Sequence, residues 1–133
     1  MIVVDTSVWI DYFRGNPTPS VVKLRTMMAN GVEIGLTDLN LMEILQGCTT
    51  NAEVARLEAA TESFEIVTGG GREIGLLAAK HYRILRKAGF TARKEVDVWI
   101  ATLCIVNDLA LLHSDRDFDP MQKHLGLRSV PVA

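Results

Sequence analysis

Four acidic residues stand where short apolar segments end or helices begin: Asp5 in MIVVDTS, Glu43 in LNLMEIL, Asp97 in EVDVWIA and Asp115 in LALLHSDRD. Carboxylates set into hydrophobic sequence repel one another once folding brings them together. Burying several like charges is costly unless a cation or a shared proton compensates. A donor set made only of carboxylate oxygens suits Mg²⁺ or Mn²⁺ rather than Zn²⁺. The natural chemistry of such a site is phosphodiester hydrolysis. The ion acidifies a water and offsets charge on the leaving oxygen, so no side-chain nucleophile is required. Thr6 and Ser114 carry hydroxyls placed to orient a carboxylate or a water from behind.

Taken singly, each acid has a plainer reading. Asp5, between a β-branched run and Thr-Ser, reads equally as a helix N-cap. Asp97 would gain from the positive end of a helix, although Glu95 already serves that end. Asp115, Asp117 and Asp119 fit a polar turn leading into Pro120. Glu43 is harder to dismiss, because Leu39 and Gly47, one turn away on either side, offer no cation. The conjunction favours a metal site.

Other chemistries lack their signatures. His81, His113 and His124 match no zinc spacing, and His81 falls on an apolar helical stripe, as a packing histidine would. There is no CxxC, Walker A loop or GxGxxG, and the Gly69-Gly70-Gly71 triplet has no phosphate-binding context. Ser114, His113 and Asp115 are adjacent, so they cannot form a catalytic triad. A phosphatase using an aspartyl-phosphate would need a second Asp two residues after Asp5, where Ser7 stands.

The elements that must position these residues follow from the apolar pattern. Ile2-Val3-Val4 reads as a strand buried on both faces, Ile34-Gly35-Leu36, Phe64 to Val67 and Leu109 to Leu112 as further strands, and Leu127 to Val130 as a short fifth. Helices are expected after Thr6 or Ser7, from Pro19 to Met28 (Val21, Leu24 and Met28 inward), and after Thr37 or Asp38 (Leu41, Met42 and Leu45 inward). Others are expected from Asn51, from Glu73 to Lys87, from Val96 to Val106 and around Pro120 to His124. The glycine triplet marks a flexible joint. Strand and helix alternate throughout, which predicts one α/β domain over residues 1–133. It would be a three-layer α/β/α sandwich around a parallel sheet of four or five strands. If the first and fourth strands are neighbours where strand order reverses, Asp5 and Asp115 meet at their carboxyl ends.

Net charge is -2, from 14 basic and 16 acidic residues, and acidic ligands would mask a basic surface in that sum. The densest basic stretch is Lys80, Arg83, Arg86, Lys87, Arg93 and Lys94. Lys80, Arg83 and Lys87 share a helical face there. The stretch as a whole reads as a phosphate-binding rim or as an ordinary solvated face, with Arg83 and Lys87 its foremost substrate-binding candidates. Arg116, inside the acidic turn, could reach a substrate phosphate or neutralise Asp117 or Asp119. No stretch approaches the roughly 18 apolar residues of a membrane span, and the N-terminus lacks a basic leader region. Cys48 and Cys104 fit reduced core cysteines, so a cytoplasmic protein without membrane association is expected.

The segments VVDTSVWI, LNLMEIL, VDVWIATLC and LLHSDRDF together resemble PIN-domain ribonucleases, and more closely the small VapC-type toxins of prokaryotic toxin–antitoxin pairs. The resemblance covers almost the whole chain and implies a PIN-like fold. The family's acidic positions fall on Asp5, Glu43, Asp97 and Asp115, with Asp117 an accessory or alternative ligand. Ser114 takes the hydroxyl position before the last acidic motif, and Thr6-Ser7 the polar pair after the first. Trp99 stands where relatives often have a smaller aliphatic residue. The resemblance implies a Mg²⁺- or Mn²⁺-dependent endoribonuclease acting on transfer or ribosomal RNA, a homodimer, and a cognate antitoxin that blocks the site. The alternative is a PIN-like scaffold that binds RNA or protein without cutting.

Overall fold

The computed structural model describes residues 1–132. In chain order the elements are β1 (Ile2–Val4), α1 (Thr6–Arg14), α2 (Pro19–Ala29), β2 (Ile34–Thr37), α3 (Asp38–Gln46) and α4 (Asn51–Thr61). They continue with β3 (Glu65–Val67), α5 (Gly71–Lys87), α6 (Glu95–Val106), β4 (Ala110–Leu112), a 3₁₀ turn (Arg116–Phe118) and α7 (Asp119–Leu125). All strand pairs are parallel, in the order β3-β2-β1-β4. β1 lies in register with β2 through Ile2↔Ile34 and with β4 through Val3↔Leu111. Strand order reverses at β1, which puts the carboxyl ends of β1 and β4 side by side.

Alternation along the strands sorts the core into two layers. Val4, Leu36 and Leu112 pack with Val8, Trp9, Leu24, Ile44 and Leu57 of α1 to α4. Val3 and Leu111 face the other way, onto Leu85, Ile100, Ala101, Cys104, Phe118 and Met121 of α5 to α7. With both faces covered, β1 and β4 need no polar side, which is why their sequences are unbroken apolar runs; β3, at the edge of the sheet, is mostly exposed and carries Glu65. Helix α6 is the most deeply seated, with seven buried residues from Asp97 to Cys104. No helix among the described residues is long and apolar enough to cross a membrane.

Several local expectations change. The fifth strand reduces to a single bridge, Leu111↔Ser129, on the outer edge of β4. In α3, Asn40 and Ile44 are buried and Leu41 and Leu45 half-buried, while Met42 is 48% exposed. Met42 lies two positions from Asn40 and Ile44, so it projects from the opposite side of the helix. In α2 the buried methionine is Met27 rather than Met28, which only packs at the edge of the core. Asp5 itself caps α1, and Thr6 is the first helical residue. The glycine triplet is a fitted joint rather than a loose one. Gly69 lies so close to Leu103 that a Cβ would collide with it, and Gly70 and Gly71 hold φ of +152° and +81°.

Candidate metal centre

Asp5 leaves β1 with extended backbone, its N–H donating to the Leu112 carbonyl of β4 at 2.9 Å. Its Oδ2 accepts from the Ser7 amide (3.1 Å) and the Ser7 hydroxyl (2.7 Å), and its Oδ1 lies 3.5 Å from Asn40 Nδ2. Glu43 comes in from α3, one turn past the capping box in which Thr37 and Asn40 satisfy each other. The Thr6 hydroxyl donates to Glu43 Oε1 at 2.9 Å and accepts from Asn40 Nδ2 at 3.0 Å. Asn40 is fully buried and also accepts from the Thr37 amide and hydroxyl. One asparagine therefore ties the α3 cap to both acids of this half.

The other half is sparser. Asp97 sits in the first turn of α6, 5% exposed, and its Oδ2 is buried with no hydrogen-bond partner. Asp115 caps the 3₁₀ turn after β4, accepting from the Asp117 amide at 2.9 Å. One oxygen each from Asp97, Asp115 and Asp117 lie within 4.8 Å of one another. Asp5 and Glu43 are not members of that trio, yet their charges reach Asp97. Burial pushes the Asp97 carboxyl up to about 7, and the charge of Asp5 adds to it. Asp115 and Glu43 push the same way, while Lys94 opposes them. The helix N-terminus favours the carboxylate, but burial and like charge win.

The sequence-derived acids Asp5, Glu43, Asp97, Asp115 and Asp117 are thus brought to one end of the sheet. Thr6 touches Glu43 through its hydroxyl, whereas Ser114 enters through its backbone, its amide lying 3.3 Å from Ser7 Oγ. The other expected residues lie further out. Arg116 is exposed in the 3₁₀ turn and Lys87 is exposed at the end of α5. Arg83 lines an open groove of about 680 Å³ between α5 and α6, together with Arg86, Tyr82, Glu95 and Trp99. His81 packs inward, its Nδ1 2.8 Å from the Thr102 hydroxyl. That hydroxyl already donates to the Val98 carbonyl, so the ring nitrogen is the donor. His113 bonds Ser129, not Ser114, and burial lowers its pKa.

Sequence reasoning missed the role of Asn40, and it named Arg93 only as part of the basic stretch, without its partner. Asn40 shows itself only as a T-x-x-N capping spacing inside an apolar helix. Arg93 donates from Nε to Asp117 Oδ2 at 2.9 Å and is the one base ion-paired with this cluster among the described residues. The donor set fits a hard divalent cation. Every candidate ligand is a carboxylate, three of them converge, and the buried Asp97 oxygen lacks a donor among the described residues.

The family model for the PIN domain matches residues 2–123. The chain is 30% identical over 130 residues to the VapC ribonuclease Mb1587 of Mycobacterium bovis, covering 97% of each. It is 32% identical over 123 residues to ribonuclease VapC19 of Mycobacterium tuberculosis, covering 91% of this chain and 94% of that one. Among solved structures, VapBC2 from Rickettsia felis bound to a promoter DNA fragment aligns with a TM-score of 0.78 at 16% identity, over 98% of both chains. VapBC-1 from nontypeable Haemophilus influenzae aligns at 0.74 and 19% identity, over 98% of this chain and 97% of that one. These structural likenesses carry the fold.

Proposed function

The chain belongs to the PIN-domain family, and from that premise we propose that it is a divalent-metal-dependent endoribonuclease, the toxin of a toxin–antitoxin pair. What carries this reading is the buried, unpartnered oxygen of Asp97 among converging carboxylates. Asp5, Glu43, Asp97 and Asp115 are the proposed catalytic and metal-holding residues, with Asp117 a further ligand and Mg²⁺ or Mn²⁺ the proposed ion. When bound, the ion supplies acidity for a water and positive charge opposite the leaving oxygen. Residues of the chain do the rest. Ser7 and Asn40 fix the Asp5 carboxylate, and Asn40 orients Thr6, which holds Oε1 of Glu43. Glu43 keeps Oε2 outside that bond, able to take a proton from a nearby water. Ser114 braces Ser7 through its amide.

The proposed substrates are transfer or ribosomal RNA, whose phosphates Arg83, Lys87 and Arg116 would meet at the rim. The whole chain is read as one PIN-like domain working in the cytoplasm, where its free thiols Cys48 and Cys104 stay reduced. A cognate antitoxin and a second copy of the chain are its proposed protein partners. The α5–α6 groove suits the second copy: its walls carry Arg86 on one side and Glu95 on the other, a pattern that two-fold pairing can match to itself. The decisive experiment is cleavage of bulk transfer RNA and ribosomal RNA by purified protein. EDTA should stop it and Mn²⁺ restore it, and activity indifferent to chelator would reject the mechanism.

A further inference from the structure

Arg93 occupies an unusual place. Its side chain is 76% exposed, yet its Nε–H is committed to Asp117 Oδ2, and Asp117 is only 24% exposed. The contact is single-pronged: of the five N–H donors of a guanidinium, one is spent, and Nη1 and Nη2 make no hydrogen bond among the described residues. The Asp117 bond and charge raise the guanidinium's pKa, and the charges of Asp115 and Asp97 raise it further, so the cation stands inside the field of three acids. The loop that carries it is braced at a second point by Phe90, whose ring lies 5.6 Å from that of His124 on α7. The α5–α6 loop therefore meets α7 through Phe90 and the 3₁₀ turn before it through Arg93.

A base in this position does something the acids cannot. A phosphate approaching a cluster of carboxylates is repelled, and a cation bound among them does not by itself orient the strand. A guanidinium fixed by one edge presents a planar pair of donors, the shape that matches two non-bridging phosphate oxygens. We propose that Arg93 is a substrate-binding residue: anchored on Asp117 through Nε, it clamps a phosphate of the RNA strand with Nη1 and Nη2 at the mouth of the acidic cluster. This rests on the nuclease reading above. It also gives Asp117 a second role, as the anchor of that clamp.

The test compares full-length wild type with Arg93→Ala and Arg93→Lys. KM and kcat are measured on bulk transfer RNA and ribosomal RNA, and Mn²⁺ affinity from the melting-temperature shift without RNA. Loss of a charge-assisted phosphate contact should raise KM by about tenfold or more in Arg93→Ala, with kcat far less affected. Arg93→Lys should recover only part of that loss, since a point charge lacks the fork. Mn²⁺ affinity should hold or tighten, because a competitor for Asp117 has gone. An unchanged KM, full rescue by lysine, or Mn²⁺ affinity falling in step with activity would overturn the clamp and leave Arg93 as a mere neutraliser of Asp117. A wild type that cuts neither RNA defeats the nuclease reading and the clamp with it. An active wild type whose KM ignores Arg93 defeats the clamp alone.

Discussion

Asp5 and Glu43 meet a ready-made set of donors in Ser7, Thr6 and Asn40, while Asp97 on the facing side buries an oxygen that none of the described residues satisfies. The two halves of the site differ because different elements build them. The first half joins α1 to a capped α3, where helix-starting residues are polar by necessity and their spare donors turn inward. The second half comes from the apolar helix α6 and a tight turn after β4, which bring carboxylates but few donors. Geometry is set by the first half, and the demand for a cation is concentrated in the second.

The sharpest way to break that contrast is to neutralise one acid on each side. Asp5→Asn and Asp97→Asn should both reduce RNA cleavage to background, but their stabilities should diverge. Asn caps a helix about as well as Asp, so Asp5→Asn should melt near wild type in the absence of metal. Asp97→Asn removes a carboxylate that burial and its neighbours disfavour, so it should melt higher than wild type near neutral pH. Equal melting temperatures, or cleavage surviving in either variant, would dissolve the distinction.

Metal should act through the second half. At a concentration of about 100 Kd, Mn²⁺ should stabilise the folded protein by roughly 2.7 kcal/mol, a shift on the order of 10 °C for a chain of this size. The increment should be largely lost in Asp97→Asn. It should also depend on pH. The folded-state pKa of Asp97, about 7, lies above its ordinary value of 3.8, so the folded protein binds the extra proton between those limits. This group's contribution to metal-free stability therefore falls as pH rises from about 4 to about 7. Metal competes with that proton, so the Mn²⁺ increment should be larger at pH 8 than at pH 6. Melting curves at the two pH values, with and without Mn²⁺, read both effects.

Asn40→Ala tests the first half. It strips the Thr37 amide of its acceptor and Thr6 of its donor, which should cost about 1–3 kcal/mol. Activity should drop by about 10–100-fold without vanishing, as for a residue that orients ligands from behind. A variant as stable and active as wild type would mean that the network is incidental. The smallest effect is expected at the rim. Arg83→Glu with Lys87→Glu should weaken RNA binding and flatten its salt dependence while leaving the Mn²⁺ increment unchanged; unaltered RNA affinity would remove those residues from the substrate path.

Much of this was legible beforehand, for physical reasons that also mark where legibility ends. Val3, Val4, Leu111 and Leu112 announce interior strands because a sheet covered on both faces has no polar positions to disguise it. An acid inside LNLMEIL or EVDVWIA stands out because burying it alone is unfavourable. Asn40 does not stand out, since an isolated polar residue on a helix reads as solvent-facing until the first turn of α1 is known to approach it. Arg93 stood out only as one base of a basic stretch, because its pairing with Asp117 depends on the path of the loop after α5. The missing fifth strand has a local cause: β4 offers three residues, and Pro131 has no N–H to extend the ladder beyond Ser129 and Val130.

The most direct measurement is an anomalous-difference map from crystals soaked in Mn²⁺. A peak bounded by the carboxylates of Asp5, Asp97 and Asp115, with the once-orphaned Asp97 oxygen turned toward it, is the expected result. A saturated soak with no peak there, and Asp97 instead neutralised by a base of its own, would contradict the account.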